Sequence, residues 1–286
     1  MKIIKPSVEF YGAVPTDYEG ALRFIEKAGR TCYKSEYKIT PDSAGKFVRK
    51  LIKAGHLAMV EHSNMVVKKP FDIYSPPDYP TEFKYLNVLL DKGFVYIGGN
   101  LTSWYYLGQQ LEWDAEFVRP FEEMYGELFG LKADENSYSR WNICPHDEIP
   151  KAIHRYSAKF ICDRGVSHEL VRHRPCSFAQ ESTRYVNYAG KQMEFIEPTD
   201  YDYWPPGAAE QFEWCCKDEE WRYGELLKAG LKPQQARAVL PNALKTEIVV
   251  TADAAEWNHI RKLRTAPSAH PDMQRVMNMM PWEEFL

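Results

Sequence analysis

The stretch from Val166 to Arg184 constrains the fold more than any other part of this sequence. Val166 to Arg174 has the composition of a helix, and Pro175 is expected to end it because a proline ring cannot continue the hydrogen-bond ladder. Three cationic-type side chains, at positions 172 to 174, would then occupy the last helical turn. If the chain is extended beyond the proline, one strand face would carry Gln180, Ser182 and Arg184, because side chains alternate along a strand. The sequence therefore predicts two neighbouring groups of anion-binding donors.

A solvated helix end is the simpler interpretation of the cationic run. Basic residues are common in a last helical turn, where they offset the negative end of the helix dipole. The polar face predicted after Pro175 speaks against it, because a strand that only packed on a core would present apolar side chains there. An anion-binding site is therefore the stronger hypothesis.

The same stretch resembles the signature of the flavin-dependent thymidylate synthases: Arg-His-Arg, seven residues, Ser, and then an Arg-Tyr pair. Three further segments resemble elements of that family in the same order. They are Gly55-His56 with Glu61-His62, the run Ala-Arg-Ala-Val-Leu-Pro at 236–241, and the segment 251–264 with Trp257-Asn258-His259 and Leu263-Arg264. One motif of this kind is specific, and the ordered set is more so.

The resemblance implies an activity and its cofactors. Members of the family methylate dUMP to dTMP, take the carbon from methylenetetrahydrofolate and use FAD reduced by NADPH as the hydride source. They are homotetramers whose active sites combine residues from several subunits. We expect the same substrates, cofactor and assembly here.

The resemblance also implies site residues, position by position. Arg264 is the expected catalytic residue, as a cation that stabilises the ionised pyrimidine ring. The helical spacing of Trp257, Ile260 and Leu263 agrees, because it places Arg264 at the border of the apolar stripe. The expected substrate-binding residues are Glu169, Arg172, Gln180, Ser182, Arg184, Arg237 and Arg264. The expected cofactor-binding residues are His56, Ala58, Arg172, His173, Arg174, Gln180, Asp253 and His259.

The sequence departs from the family pattern at several of these positions. Asp253-Ala254-Ala255 stands where the family often has Asn and a nearby Arg, His259 replaces a common Asn, and Gln180 replaces a frequent Glu. Residues 269–272 also differ from the usual pattern. Two alternatives therefore stay open: methylation of a different pyrimidine nucleotide, and a catalytically silent nucleotide-binding protein.

Cys176 offers a different chemistry. The unrelated class of thymidylate synthases attacks the uracil ring with a cysteine, and neighbouring cations could lower the pKa of a thiol. Cys176 lies within the seven variable residues of the signature, however, and the family is thought to use no enzyme nucleophile. We therefore expect Cys176 to be dispensable.

Composition bounds the class of protein. The 286 residues are 44% hydrophobic and 14% aromatic with a net charge of -4, which is typical of a globular enzyme and does not favour nucleic acid as a partner. The N-terminus lacks a signal-peptide core and no apolar run approaches a membrane span. Six cysteines without paired spacing indicate a cytoplasmic protein with reduced thiols. Neither a glycine-rich phosphate loop nor a histidine or cysteine spacing typical of metal ligands is present, so we expect no metal site.

The predicted fold is α+β: a mostly antiparallel sheet flanked by helices, in one catalytic domain over 1–286 with a helical insertion at about 71–150. Predicted helices cover 40–54, 101–112, 114–130, 166–174, 206–230, 254–264 and 271–280, with a short one from Pro233. Predicted strands cover 62–69, 94–97, 154–162 and 245–250, and Pro70 to Pro80 is predicted to be a loop. The insertion has no placed counterpart in the family; a peripheral or oligomer-contact role is favoured over a role in substrate choice.

Overall fold

The computed structural model describes residues 1–74, 83, 85–113, 115–132 and 139–286. Within them the fold is α+β, with two four-stranded antiparallel sheets flanked by helices and one parallel pair of short strands. The predicted fold class is confirmed. None of the helices in the described ranges combines the length and the apolar character that crossing a bilayer requires.

The strands are β1 (Lys2–Ile4), β2 (Ser7–Ala13), β3 (Met65–Pro70), β4 (Leu86–Asp91), β5 (Phe94–Gly99), β6 (Asn142–Ile143), β7 (Arg155–Asp163), β8 (Ser177–Gln180), β9 (Glu194–Ile196) and β10 (Lys245–Asp253). The α-helices are α1 (Tyr18–Thr31), α2 (Ser43–Lys53), α3 (Leu57–Val60), α4 (Leu101–Gln110), α5 (Arg119–Phe129), α6 (Arg164–Leu170), α7 (Pro206–Lys228), α8 (Pro233–Ala236), α9 (Ala254–Arg264), α10 (Pro271–Met277) and α11 (Trp282–Phe285).

The central sheet has the order β2-β7-β10-β8 and carries the candidate site at one end. Strand β10 is covered on both faces, which explains its run of β-branched residues. Val249 faces α1 with Ala28 and Ala179, whereas Ile248 and Val250 face the core formed with α6, α9 and α10. The alternation of side chains along one strand thus holds a helical layer on each face of the sheet.

The second sheet has the order β4-β5-β3-β6, and three of its four strands come from the segment 71–150. That segment therefore contains strands as well as the expected helices, α4 and α5. Strand β3 lies between β5 and β6. Gly99 is required in β5, because a Cβ there would lie 2.4 Å from the carbonyl oxygen of Tyr85.

Most predicted elements are present with shifted ends. Helix α2 begins at Ser43 rather than at Thr40-Pro41, since Ser43 and Thr40 bond to each other in a turn before the helix. Its end is as predicted: Gly55 has a φ of +71° and follows the last helical residues. The strands β3, β5, β7 and β10 and the helices α4, α5, α7, α9 and α10 all overlap their predicted ranges. Most of the predicted loop 70–80 lies outside the described residues, and α1, β2 and β4 were not predicted.

Candidate active site

Helix α6 ends four residues earlier than predicted. Its last residue is Leu170, and the amides of Arg172 and His173 bond three residues back in single turns rather than continuing the helix. Pro175 disfavours helical geometry at Arg174, but the chain has already left the α-helix four residues before that position. The prediction that the three cationic residues occupy the last helical turn is therefore wrong. They lie in the connection to β8, with Arg172 and Arg174 exposed and His173 buried.

The strand after the proline is also shorter than the prediction requires. Strand β8 ends at Gln180, and the amides of Tyr185 and Val186 both bond to the carbonyl of Ser182, which closes a turn. Ser182 and Arg184 therefore do not share a strand face with Gln180. The side-chain amide of Gln180 donates to the hydroxyls of Ser167 and Thr246, at 2.9 and 3.2 Å, and so links β8 to α6 and β10.

Arg264 is held by three hydrogen bonds at the end of α9. Its Nη1 donates to Glu169 Oε2 at 2.6 Å and its Nη2 donates to the Glu169 carbonyl at 3.1 Å. Its Nε donates to His173 Nε2 at 3.0 Å. Three residues that the sequence analysis predicted separately for catalysis, substrate and cofactor are thus in direct contact. We call Arg264, Glu169, His173 and Glu256 the Arg264 cluster.

The proton on His173 can be placed from these contacts. A guanidinium only donates, so His173 Nε2 accepts and the ring proton is on Nδ1. That nitrogen lies 3.1 Å from Glu256 Oε1 and donates to it. Burial, the charge of Arg264 and the nearby His259 lower the pKa of His173 to about 4, so the imidazole is neutral at pH 7. Burial raises the pKa of Glu256.

His259 completes a group with His173 and Glu256 in which the possible ligand atoms all lie within 4.8 Å of one another. The sequence analysis missed this group because it joins a loop to a helix, although the spacing of Glu256 and His259 already places both on one helical face. Both ring nitrogens of His173 are engaged, one by Arg264 and one by Glu256. The arrangement therefore serves hydrogen bonding in this state.

Asp253 caps α9 and meets the segment 71–150. Its Oδ1 accepts from the amide of Glu256 and its Oδ2 accepts from the side-chain amide of Asn87, both at 2.8 Å. Nearby, the hydroxyl of Tyr85 donates to the carbonyl of Arg174 at 3.3 Å. The segment thus contacts two residues predicted for the cofactor site, and the sequence analysis had no signal for this approach.

A buried polar group supports the end of the central sheet beneath these residues. Arg155 donates to the Ser177 hydroxyl at 3.0 Å and to the Thr251 carbonyl at 3.3 Å, which ties β7, β8 and β10 together. His62 Nδ1 lies 2.8 Å from the Thr251 hydroxyl, and burial with the charge of Arg155 lowers the pKa of His62 to about 3. His62 therefore fixes the segment that precedes β3 to the sheet as a neutral side chain.

Cys176 is unsuited to nucleophilic chemistry. Its side chain is buried, and burial raises the pKa of the thiol well above its usual value. A thiolate is the nucleophilic form of cysteine, so this environment disfavours the reactive species.

Arg237 lies away from the Arg264 cluster, at the end of α8. Its Nη1 donates to the hydroxyl of Thr183 at 3.2 Å, beside the turn formed by Ser182 to Tyr185. Arg184 is exposed, and its guanidinium lies 5.4 Å from the centre of the Tyr185 ring. Thr183 thus brings the predicted phosphate-binding residues of two distant segments to one place.

Arg237 and Thr183 line an open cavity of about 470 Å³, which we call the arginine pocket. Other residues that line it are Arg164, His168, Gln234 and Asn242. The sequence analysis missed Arg164. The available signal was its spacing from His168, four residues apart and so on one face of α6.

His56 and Ala58 belong to a different surface. Both are exposed at the start of α3, and His56 lines a groove of about 650 Å³ between α2 and the end of α1. Lysines and tyrosines share that groove: Lys38, Lys46, Lys50, Tyr33 and Tyr37. Helix α3 itself packs beside β8.

Comparison with known proteins identifies the family. The family model described as "Thymidylate synthase complementing protein" matches residues 152–285. A flavin-dependent thymidylate synthase of Thermococcus kodakarensis is 30% identical over 173 residues, which cover 57% of this chain and 68% of that protein. One from Thermococcus onnurineus is 34% identical over 117 residues, covering 40% and 47%, and one from Corynebacterium glutamicum is 24% identical over 278 residues, covering 91% and 74%.

For some of these relatives the match is partial: the chain spans about half the length of the Thermococcus onnurineus protein and of a Pyrococcus abyssi protein. Among solved structures, a UMP/dUMP methylase PolB from Streptomyces cacaoi bound with 5-Br dUMP aligns over 100% of this chain and 93% of its own. Its TM-score is 0.44 with 16% identity, a similarity too low to bear on fold or activity. The Thermococcus kodakarensis match covers more than two thirds of that enzyme, and with the family model it shows that this chain belongs to the flavin-dependent thymidylate synthase family.

Proposed function

We propose that this protein methylates dUMP to dTMP, with methylenetetrahydrofolate as the carbon donor and FAD reduced by NADPH as the hydride source. The observation that carries the proposal is the restraint of Arg264, whose guanidinium is held by Glu169 and His173 at the end of the signature segment. Family membership supplies the reaction, and this geometry supplies a residue suited to its difficult step.

The difficult step is attack by C5 of uracil, a weak nucleophile until the ring becomes electron-rich. Loss of the N3 proton to solvent water enriches the ring, and a cation fixed beside N3 and O2 lowers the free energy of that ionised form. Arg264 provides such a cation without reorganising, because two neighbours already fix its plane. Because His173 is neutral, it accepts a hydrogen bond from Arg264 without adding a second positive charge.

Arg172 and Arg174 suit the negatively charged part of FAD. Both are exposed, and neither forms an ion pair with any carboxylate in the described ranges of the chain. Arginine forks bind phosphate oxygens in pairs, which replaces the missing glycine-rich cradle. When bound, FAD supplies the hydride. We assign His173, Asp253 and His259 to the same site, with Gln180 supporting it through α6.

The phosphate of dUMP is assigned to Ser182, Arg184 and Arg237. The contact between Arg237 and Thr183 supports this assignment, since it places a guanidinium at the turn that carries the other two residues. Glu169 contributes to the nucleotide site by orienting Arg264.

His56 and Ala58 are proposed to contribute to the flavin site from another subunit. Their groove lies on the α2 side of the chain, and an assembly of several copies would allow one copy's groove to face the next copy's signature segment. We therefore propose a homotetramer, and a cytoplasmic location in keeping with six free cysteines in the structure.

The decisive experiment is an anaerobic reaction of the purified protein with FAD, NADPH, methylenetetrahydrofolate and dUMP, with dTMP measured by mass spectrometry. Formation of dTMP at many turnovers per protein is expected. A parallel reaction with dCMP tests the alternative pyrimidine. Protein that binds no flavin and forms no product with either nucleotide would instead indicate a silent homologue.

A further inference from the structure

The arginine pocket holds more positive charge than the residues assigned to phosphate account for. Arg164 and His168 lie one helical turn apart on α6 and face the same cavity as Arg237. Of the residues that the structure describes, no aspartate or glutamate lines the pocket. Three cationic-type side chains without an acid form a site for an anion, because unscreened like charges otherwise repel one another.

The charges of the pocket are also left unpaired by the rest of the molecule. Among the residues that the structure describes, no carboxylate lies within ion-pair distance of Arg164, His168 or Arg237. Several arginines elsewhere are paired: Arg30 with Glu26, Arg222 with Asp218 and Arg275 with Glu197. Within the described part of the chain, Arg164 and Arg237 differ from these three in having no acidic partner.

Arg164 has one side-chain donor that makes no hydrogen bond in the described structure. This donor is Nη1, which is buried. The backbone beside it is fixed, because the Arg164 amide donates to the Asn242 carbonyl at 2.8 Å. Nη1 itself is shielded, so a ligand oxygen in the open cavity would meet the partly exposed remainder of the Arg164 guanidinium, which lines the pocket.

We infer that Arg164 and His168, together with Arg237, bind the phosphate monoester of the nucleotide substrate. This inference rests on the proposed function for the identity of the nucleotide, but the anion site itself does not. Arg237 donates Nη1 to Thr183 and keeps its other donors for the ligand, while Arg164 and His168 supply further donors from α6. A phosphate dianion offers three terminal oxygens, which suits donors from three side chains.

The test compares ligands that differ only in the phosphate. Binding of dUMP and of deoxyuridine is measured by calorimetry for the parent, Arg164→Gln, His168→Asn and the surface control Arg222→Gln. Arg164→Gln should weaken dUMP binding by about tenfold or more, the size expected for a lost charge-assisted hydrogen bond. Deoxyuridine binding should change less than about twofold, and Arg222→Gln should match the parent with both ligands. Equal loss for both ligands, or no loss for dUMP, would overturn the inference.

A second arm separates this inference from the proposed function. Inorganic phosphate should raise the Tm of the parent more than chloride does at equal ionic strength, and Arg164→Gln should remove that difference while Arg164→Lys retains part of it. A phosphate effect lost in Arg164→Gln supports the site even if dUMP is not turned over. A parent that turns over dUMP but shows the same phosphate response as Arg164→Gln would overturn the site and leave the proposed reaction intact.

Discussion

The Arg264 cluster and the arginine pocket both contain arginine and histidine side chains, but only those of the cluster are paired with carboxylates. In the cluster, Arg264 donates hydrogen bonds to Glu169 and His173, and His173 donates to Glu256. In the pocket, within the part of the chain that the structure describes, Arg164 has a buried donor without a hydrogen-bond partner, and the side-chain bond of Arg237 is to the hydroxyl of Thr183. A paired cation has its position set in advance and suits a transition state, whereas an unpaired cation gains most when a charged ligand arrives. The cluster should therefore govern rate, and the pocket should govern affinity.

The largest expected effect is on the cluster side. Arg264→Ala should lower the rate of flavin reoxidation by dUMP and methylenetetrahydrofolate by about 100-fold or more, because a fixed electrostatic donor is lost where charge develops. Single-turnover reoxidation across a dUMP titration measures it. Arg261→Ala is the matched control, since Arg261 lies on the same helix and pairs with Glu283 at the surface. A change confined to the half-saturation concentration of dUMP would mean that Arg264 contributes to nucleotide binding and not to the rate of the reaction.

The cofactor site provides the next effect. Arg172→Ala and Arg174→Ala should each weaken flavin retention, by about 1.5–3 kcal/mol for each charged hydrogen bond lost. The ratio of flavin absorbance to protein after dialysis gives the result. If both variants keep full flavin, these exposed arginines do not bind the cofactor, and their lack of an ion pair does not indicate a ligand site.

Arg184→Ala tests the affinity side of the comparison, because Arg184 is assigned to the same phosphate as Arg237 of the pocket. It should raise the dUMP concentration at half-saturation by roughly tenfold. The saturated rate should fall less, because phosphate lies remote from the reacting carbon and contributes mainly through positioning. The same reoxidation titration reports both quantities. If only the saturated rate fell, the phosphate site would also govern rate, and the functional difference between the two regions would be lost.

Acid should weaken the fold through its buried neutral histidines. The pKa of His173 is lowered to about 4, so the unfolded chain binds a proton between pH 6.5 and 4 that the folded chain does not. Stability is thus complete above pH 6.5 and falls as the pH drops toward 4. His173→Asn should reduce this slope by up to about 1.4 kcal/mol per pH unit in denaturant titrations. An unchanged slope would mean that His173 is not the titrating group, and His62 and His154 would then account for the loss.

The smallest effect is expected at Cys176. Cys176→Ala should leave dTMP formation within a few fold of the parent, since the buried thiol has a raised pKa and takes no part in the proposed chemistry. Product formation in the anaerobic assay measures this. A loss of several orders of magnitude with flavin still bound would reinstate a cysteine nucleophile.

Sequence reasoning reached the fold class and named both Glu169 and Arg264, because motif positions carry over even when geometry is unknown. It did not predict that these two residues, 95 positions apart, are in contact. It failed where tertiary hydrogen bonds decide the local path. Ser182 was placed on a strand face, yet its amide bonds to the carbonyl of Cys32 and the chain turns there. Nothing in the periodicity of residues 180–184 encodes a partner 150 residues earlier. The contacts of Asn87 with Asp253 and of Tyr85 with Arg174 could not be predicted for the same reason.

Strand β3 makes the segment 71–150 inseparable from the rest of the chain. Both of its neighbours, β5 and β6, come from that segment, while Met65, Val66 and Val67 of β3 are fully buried. Excising the segment would leave the amides and carbonyls of a buried strand without partners, a cost that no loop closure could recover. A chain shortened by this segment would therefore be expected to aggregate rather than to fold.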